Sequence, residues 1–107
     1  MIAWQNDATG GSQPARRAVY VPLGRVLATP GALRALALAR TDGAAYLARH
    51  ASGDWGDVDR EDWAANDRAL LADERLLSAY VLPNGIRLWI ITEADRSAST
   101  LLLPEEY

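Results

Sequence analysis

The spacing of apolar and polar positions divides the chain into a patternless start, a helical middle and an end of apolar runs separated by turns. Residues 1–17 show no period. Gly10, Gly11, Ser12, Gln13 and Pro14 are turn or linker residues, so this stretch reads as a flexible tail, with Trp4 as a possible anchor point. Residues 18–107 then read as one domain. Val19-Tyr20-Val21 and Arg25-Val26-Leu27 have strand character, interrupted by Pro22 and Gly24, which predicts an edge strand or a bulge. Thr29-Pro30 is a helix start, because threonine caps free N–H groups and proline fits the first turn. Leu33, Leu36 and Ala37 follow at helical spacing, and the helix is expected to end near Arg40.

A second helix is predicted from Thr41 as cap, with Ala44, Leu47, Ala48 and Ala51 as one apolar stripe. Gly53 stands where a left-handed terminating residue belongs. Asp59 caps a third helix, and Asp62 falls where a carboxylate favours the N-terminal dipole. Its predicted apolar face is Trp63, Leu70 and Leu71, with Asn66 interrupting the stripe.

The last third has the clearest pattern. Leu76 to Leu82 and Ile86 to Glu93 flank Pro83-Asn84-Gly85, a strong hairpin signal because Asn-Gly tolerates positive φ. Leu88-Trp89-Ile90-Ile91 is apolar on both faces and predicts a strand inside a sheet, covered on each side. Ala94 to Ser97 turns the chain again, and Ser99 to Leu103 returns as a third strand. The fold class is α+β: an N-terminal edge strand, three short helices, then a three-stranded antiparallel meander.

Composition narrows the chemistry. The chain has 107 residues, a size near the common ~100–150 of single domains. Cysteine is absent, which removes disulfides, thiolate metal sites and a cysteine nucleophile. All 11 basic residues are arginine, so Schiff-base chemistry and P-loop lysine contacts are also excluded. The net charge of −3 argues against broad attraction to nucleic-acid phosphates. No segment has the length and polarity of a membrane span or the pattern of a secretory signal, so the expected location is cytoplasmic.

Three groups of residues could carry function. Eight of the 14 acids lie between Asp54 and Glu74, either as a solvated helical surface or as a patch for an arginine-rich partner. His50 is the single histidine, with Asp54 and Asp57 at +4 and +7; these are weak candidate metal ligands, set against a helix-end histidine that merely caps carbonyls. The turn Thr92-Glu93-Ala94-Asp95-Arg96-Ser97 is a polar junction or a recognition loop. Arg96 is expected to bridge, its fork holding two carboxylates or carbonyls at once. Ser52, Ser78, Ser97 and Ser99 share one histidine, so no Ser-His-Asp arrangement can be named.

From about Val19 to Tyr107 the chain resembles a family of small uncharacterised bacterial proteins found on plasmids and other mobile DNA. The blocks that carry the resemblance are Leu23-Gly24, Ala28-Thr29-Pro30-Gly31-Ala32-Leu33 and His50-Ala51-Ser52-Gly53-Asp54-Trp55-Gly56-Asp57. They continue with Arg75-Leu76-Leu77-Ser78-Ala79-Tyr80, Trp89-Ile90-Ile91-Thr92-Glu93-Ala94-Asp95-Arg96-Ser97 and Leu103-Pro104-Glu105-Glu106-Tyr107. The resemblance implies an accessory role in mobile DNA and carries no activity with it.

The expectation is therefore a small non-enzymatic binding protein that engages another protein or protein complex, without cofactor, one specific form being an inhibitor of a defence complex. Its candidate binding residues are His50, Asp54, Trp55, Asp57, Glu93, Asp95, Arg96 and Ser97. The alternative is a metal-dependent hydrolase with His50, Asp54 and Asp57 as ligands, Asp95 as general base and Arg96 stabilising developing negative charge.

Overall fold

The computed structural model describes residues 20–107. The expected tail, with Trp4 and the Gly10-Gly11 pair, lies outside the described residues, as does Val19 of the expected first strand. The elements run β1 (Arg25–Ala28), α1 (Pro30–Leu38), α2 (Gly43–Ala51), α3 (Arg60–Ala72), β2 (Leu76–Val81), β3 (Arg87–Thr92) and β4 (Ala98–Leu102), closed by a 3-10 turn over Pro104–Glu106. The fold is α+β, with three helices on a four-stranded mixed sheet.

The sheet order is β1-β4-β3-β2. Strands β2, β3 and β4 form the antiparallel meander, but β1 adds to it, pairing parallel with β4 so that Arg25 lies opposite Ala98. The first strand is also shorter than its apolar content predicts. Tyr20 to Gly24 are not strand: Val21 donates its N–H to Ala51 O at 2.8 Å, and Gly24 takes φ +64° against the backbone of Arg96 and Ser97. Strand pairing begins only beyond that bend.

Helix starts follow side-chain capping. Thr29 accepts from Ala32 N with Pro30 next, and Asp59 accepts from Asp62 N at 2.8 Å, as predicted. The second helix departs from expectation: Asp42, not Thr41, is the cap, accepting from Ala44 N at 2.9 Å. Its buried face is also rotated. Ala44 and Ala48 are exposed, while His50 and Ala51 are buried and Tyr46 and Leu47 are half-buried. The hairpin between β2 and β3 is the expected three-residue loop, Pro83-Asn84-Gly85. Gly85 N–H donates to Leu82 O, Leu82 N–H donates to Ile86 O, and only Gly85 has positive φ.

Strand β3 lies inside the sheet, and Leu88 and Ile90 are fully buried. Along one sheet face, Tyr80, Leu88, Ile90 and Leu101 pack with Ala32, Ala35 and Leu36 of α1. The opposite face carries Trp89, which meets Tyr107 edge-on with ring centroids 5.8 Å apart. A second apolar cluster joins Val21, Trp55, Ala69 and Leu76, so α3 packs through Ala69, with Leu70 beside it. The predicted Trp63-Leu70-Leu71 face is not the buried one. Leu71 is 87% exposed, and Asn66, taken as an interruption, is buried.

Candidate functional site

The alternation of β2, β3 and β4 turns one hydroxyl from each strand to the helical face: Ser78, Thr92 and Ser99, all fully buried. The seventh residue after Gly43 on α2 brings His50 onto them. Its Nδ1 lies 2.6 Å from Ser78 Oγ and its Nε2 lies 2.8 Å from Thr92 Oγ1. Thr92 Oγ1 is in turn 2.7 Å from Ser99 Oγ, which donates to Leu23 O at 2.8 Å. Burial, and secondarily the charge of Arg96, lowers the His50 pKa to about 4, so the ring is neutral near pH 7. Ser78 and His50 resemble half of a hydrolytic pair, but both are fully buried and no substrate reaches them.

The loop after α2 closes the free edge of β2. Ala79 N–H donates to Trp55 O at 3.1 Å, and Asp57 N–H donates to Ala79 O, so Gly56 pairs with Ala79 as a one-residue bridge. Gly56 has φ +80°, and a Cβ there would strike Ala79 O and the Tyr80 ring. Two residues back along the same edge, Asn66 of α3 completes the seal. Its Nδ2 donates to Leu77 O at 2.7 Å and its Oδ1 accepts from Leu77 N at 3.1 Å, substituting for a neighbouring strand.

The carboxylates of this loop are engaged locally. Asp54 accepts from Arg49 Nε at 2.7 Å and from Gly56 N, and the arginine hydrogen bond holds its carboxyl below the usual range. Asp57 accepts from Arg87 at 2.9 Å. Trp55 is fully buried, its indole N–H donating to Asp67 at 3.0 Å and its ring edge-on to His50. The structure therefore does not bring the three weak metal candidates together. Both His50 nitrogens face hydroxyls inside the core, Asp54 and Asp57 bind arginines at the surface, and no group of three His, Asp or Glu suited to a metal occurs among the described residues.

The turn between β3 and β4 is built around Arg96, which holds φ +62°. Its guanidinium donates to Glu74 O at 2.6 Å, Glu93 O at 3.1 Å, Ala94 O at 3.2 Å and Ala69 O at 3.3 Å. The expected bridge thus forms on carbonyls rather than carboxylates. It brings a positive charge to the C-terminal end of α3, whose own last turn carries no base. Asp95 accepts from Ser97 N at 3.0 Å, and its contacts to Ser97 lower its pKa. Glu93 pairs with Arg75 at 3.4 Å, and Ser97 O accepts from Arg25 N.

The two blocks singled out in sequence do meet, but through His50 and Thr92 in the core. Asp95 is exposed while His50 is buried, so the pairing of Asp95 as base with a His50 metal centre has no geometric basis. Sequence reasoning named Ser78 and Ser99 only among four candidate hydroxyls for His50, and missed Thr92, which joins His50 to Ser99, and Asn66 as an edge seal. The available signal was one small hydroxyl residue on the inward face of each strand, beside apolar neighbours. No family model, curated protein or solved structure matches the chain.

Proposed function

We propose that the chain is a non-enzymatic protein-binding module, an accessory protein of bacterial mobile DNA, that presents the outer surface of α3 to its partner. The observation that supports this most is Leu71, 87% exposed, with the indole of Trp63 two turns earlier on the same helix. A large aliphatic side chain left so open on a helix is suited to burial against another surface. Glu61 and Asp62 precede Trp63, Asp73 and Glu74 follow Leu71, and none of the four makes an ion pair among the described residues. An apolar anchor with unpaired carboxylates at both ends of its helix fits a partner with an arginine- or lysine-rich groove. The polar residues of the 50–57 and 93–97 blocks support the same reading by default, since their hydrogen-bonding groups are committed to internal partners. The mobile-DNA setting rests on the resemblance alone. An inhibitor of a nucleic-acid-binding defence complex is a narrower version, in which these carboxylates occupy the groove meant for phosphates.

The test compares capture of partners from a native host by the wild-type chain, by Leu71→Asp and by the double variant Glu61→Arg, Asp62→Arg. None of these side chains makes an internal bond among the described residues, so Leu71→Asp should leave melting unchanged, while the double variant should melt a few degrees lower because Glu61 and Asp62 favour the α3 dipole; Asp59 is left intact because it caps α3. Loss of the same partner in both variants is expected. A partner retained by both would remove α3 as the contact surface.

A further inference from the structure

The buried hydroxyl chain has a direction that chemistry fixes. Leu23 O can only accept, so the Ser99 hydroxyl donates to it. Ser99 has one proton, so Thr92 donates to Ser99; Thr92 has one proton, so His50 Nε2–H donates to Thr92. A neutral imidazole has one N–H, so Nδ1 accepts from the Ser78 hydroxyl. The protons run one way, from Ser78 through His50, Thr92 and Ser99 to the main chain of residues 21–24. That segment is a strap, held by Val21 N–H to Ala51 O, by Ser99 to Leu23 O, and bent at Gly24 where β1 begins. Val21 is fully buried against Trp55, whose ring stands edge-on to His50 at 5.6 Å, and Tyr20 beside it is 75% exposed.

We propose that this chain is an acid-operated fastener, which holds residues 21–24 on the sheet while the His50 ring is neutral and releases them when a solvent proton binds Nδ1. Protonation turns Nδ1 into a donor facing a hydroxyl that was itself donating, so the Ser78 hydroxyl must turn to accept and its own proton needs another acceptor, while the bonds from Nε2 through Thr92 and Ser99 to Leu23 O keep their direction. It also leaves an imidazolium with no carboxylate bonded to it among the described residues. The charged and titratable groups around the ring offer no compensation. Arg96 in the β3–β4 turn carries the same sign, and Tyr80 on β2 is neutral, its phenol pushed up to about 12 by burial. Arg49 and Asp54 at the end of α2 pair with each other, and Asp67 of α3 binds the far side of Trp55. Water reaches the ring most readily by lifting the strap, since β2, β3 and β4 are joined by continuous ladders while residues 21–24 are held at isolated points. The fastener thus controls whether Val21, Leu23 and the start of β1 are covered or displayed.

Amide hydrogen exchange on the full chain, followed by NMR from pH about 6.5 to about 4.5 and corrected for intrinsic rates, tests this directly. An opening that takes up one proton should cost the Val21 amide roughly tenfold in protection per pH unit across that range. Leu88 and Ile90 should stay better protected than Val21 throughout. Ring nitrogen shifts should report the Nε2–H tautomer at the upper pH, and His50→Gln, which cannot titrate, should abolish the pH slope at Val21. A Val21 slope of zero in the wild type would overturn the proposal. So would Val21 and Ile90 exchanging at one common rate, or an Nδ1–H tautomer; these readings stand even where His50→Gln fails to fold.

Discussion

Arg96→Lys isolates what the guanidinium contributes to the fold. Both residues carry one positive charge, and both must adopt the φ of +62° that the turn imposes, so the backbone cost is held constant. What changes is reach. The guanidinium spans from Ala69 O and Glu74 O at the end of α3 to Glu93 O and Ala94 O in its own turn. A lysine ammonium is one point on a flexible stem, and it can serve one of these two groups but not bridge them. Bonds from a charged donor contribute about 1.5–3 kcal/mol each, and partial exposure reduces that, so losing half the bridge should cost about 1–2 kcal/mol. In a domain of this size that lowers the melting temperature by roughly 5–15 °C. Thermal unfolding by circular dichroism at neutral pH measures it, with partner capture recorded on the same samples. Unchanged melting with lost binding would refute the structural role and return Arg96 to recognition. Unchanged melting with intact binding would show that the bridge contributes neither.

Further outcomes follow from the sealed edge and the buried histidine. Asn66→Leu keeps the volume but leaves Leu77 N–H and C=O unpaired, and should destabilise by about 2–4 kcal/mol in denaturant unfolding; a variant as stable as wild type would refute the edge seal. Gly56→Ala should cost more than Gly85→Ala in the same assay. Both glycines have positive φ, but a Cβ at Gly56 meets Ala79 O while one at Gly85 meets nothing, so equal losses would contradict the bridge geometry. Because burial lowers the folded-state pKa of His50 to about 4, the unfolded chain binds the extra proton first as pH falls. The resulting stability, about 3 kcal/mol, is complete above the unfolded value near 6.5 and lost as pH falls toward 4; His50→Gln should flatten that part of the stability–pH curve.

Local signals carried most of the element boundaries. Thr29-Pro30 and Asp59 determine where helices start because capping depends on residues three positions apart. The Pro83-Asn84-Gly85 turn and the doubly apolar Leu88–Ile91 run gave the hairpin and the interior strand for the same reason. What escaped depends on contacts distant in sequence. The parallel pairing of β1 with β4 joins residues about seventy apart, and nothing near Arg25 encodes it. Asn66 read as a flaw in an apolar stripe because its partner, the backbone of Leu77, has no side-chain signature. Trp63 and Leu71 read as core on hydrophobicity, although Asn66 and Ala69 mark the buried side. At the candidate site, the polar residues stand out in the sequence, and the bridge expected of Arg96 forms on four carbonyls. Their assignment to ligands failed where burial decides: the sequence does not say that His50 and Trp55 are fully enclosed while Asp95 is open to solvent.

The central claim is that the polar blocks hold the fold while α3 makes the contacts. The most direct measurement places a photocrosslinking amino acid at position 71 on α3 and, separately, at position 95 in the β3–β4 turn, in the full chain inside its native host. The account predicts a crosslinked partner from position 71 and none from position 95. A partner captured from position 95 and not from position 71 would contradict it, and would make the turn beside Arg96 the recognition surface.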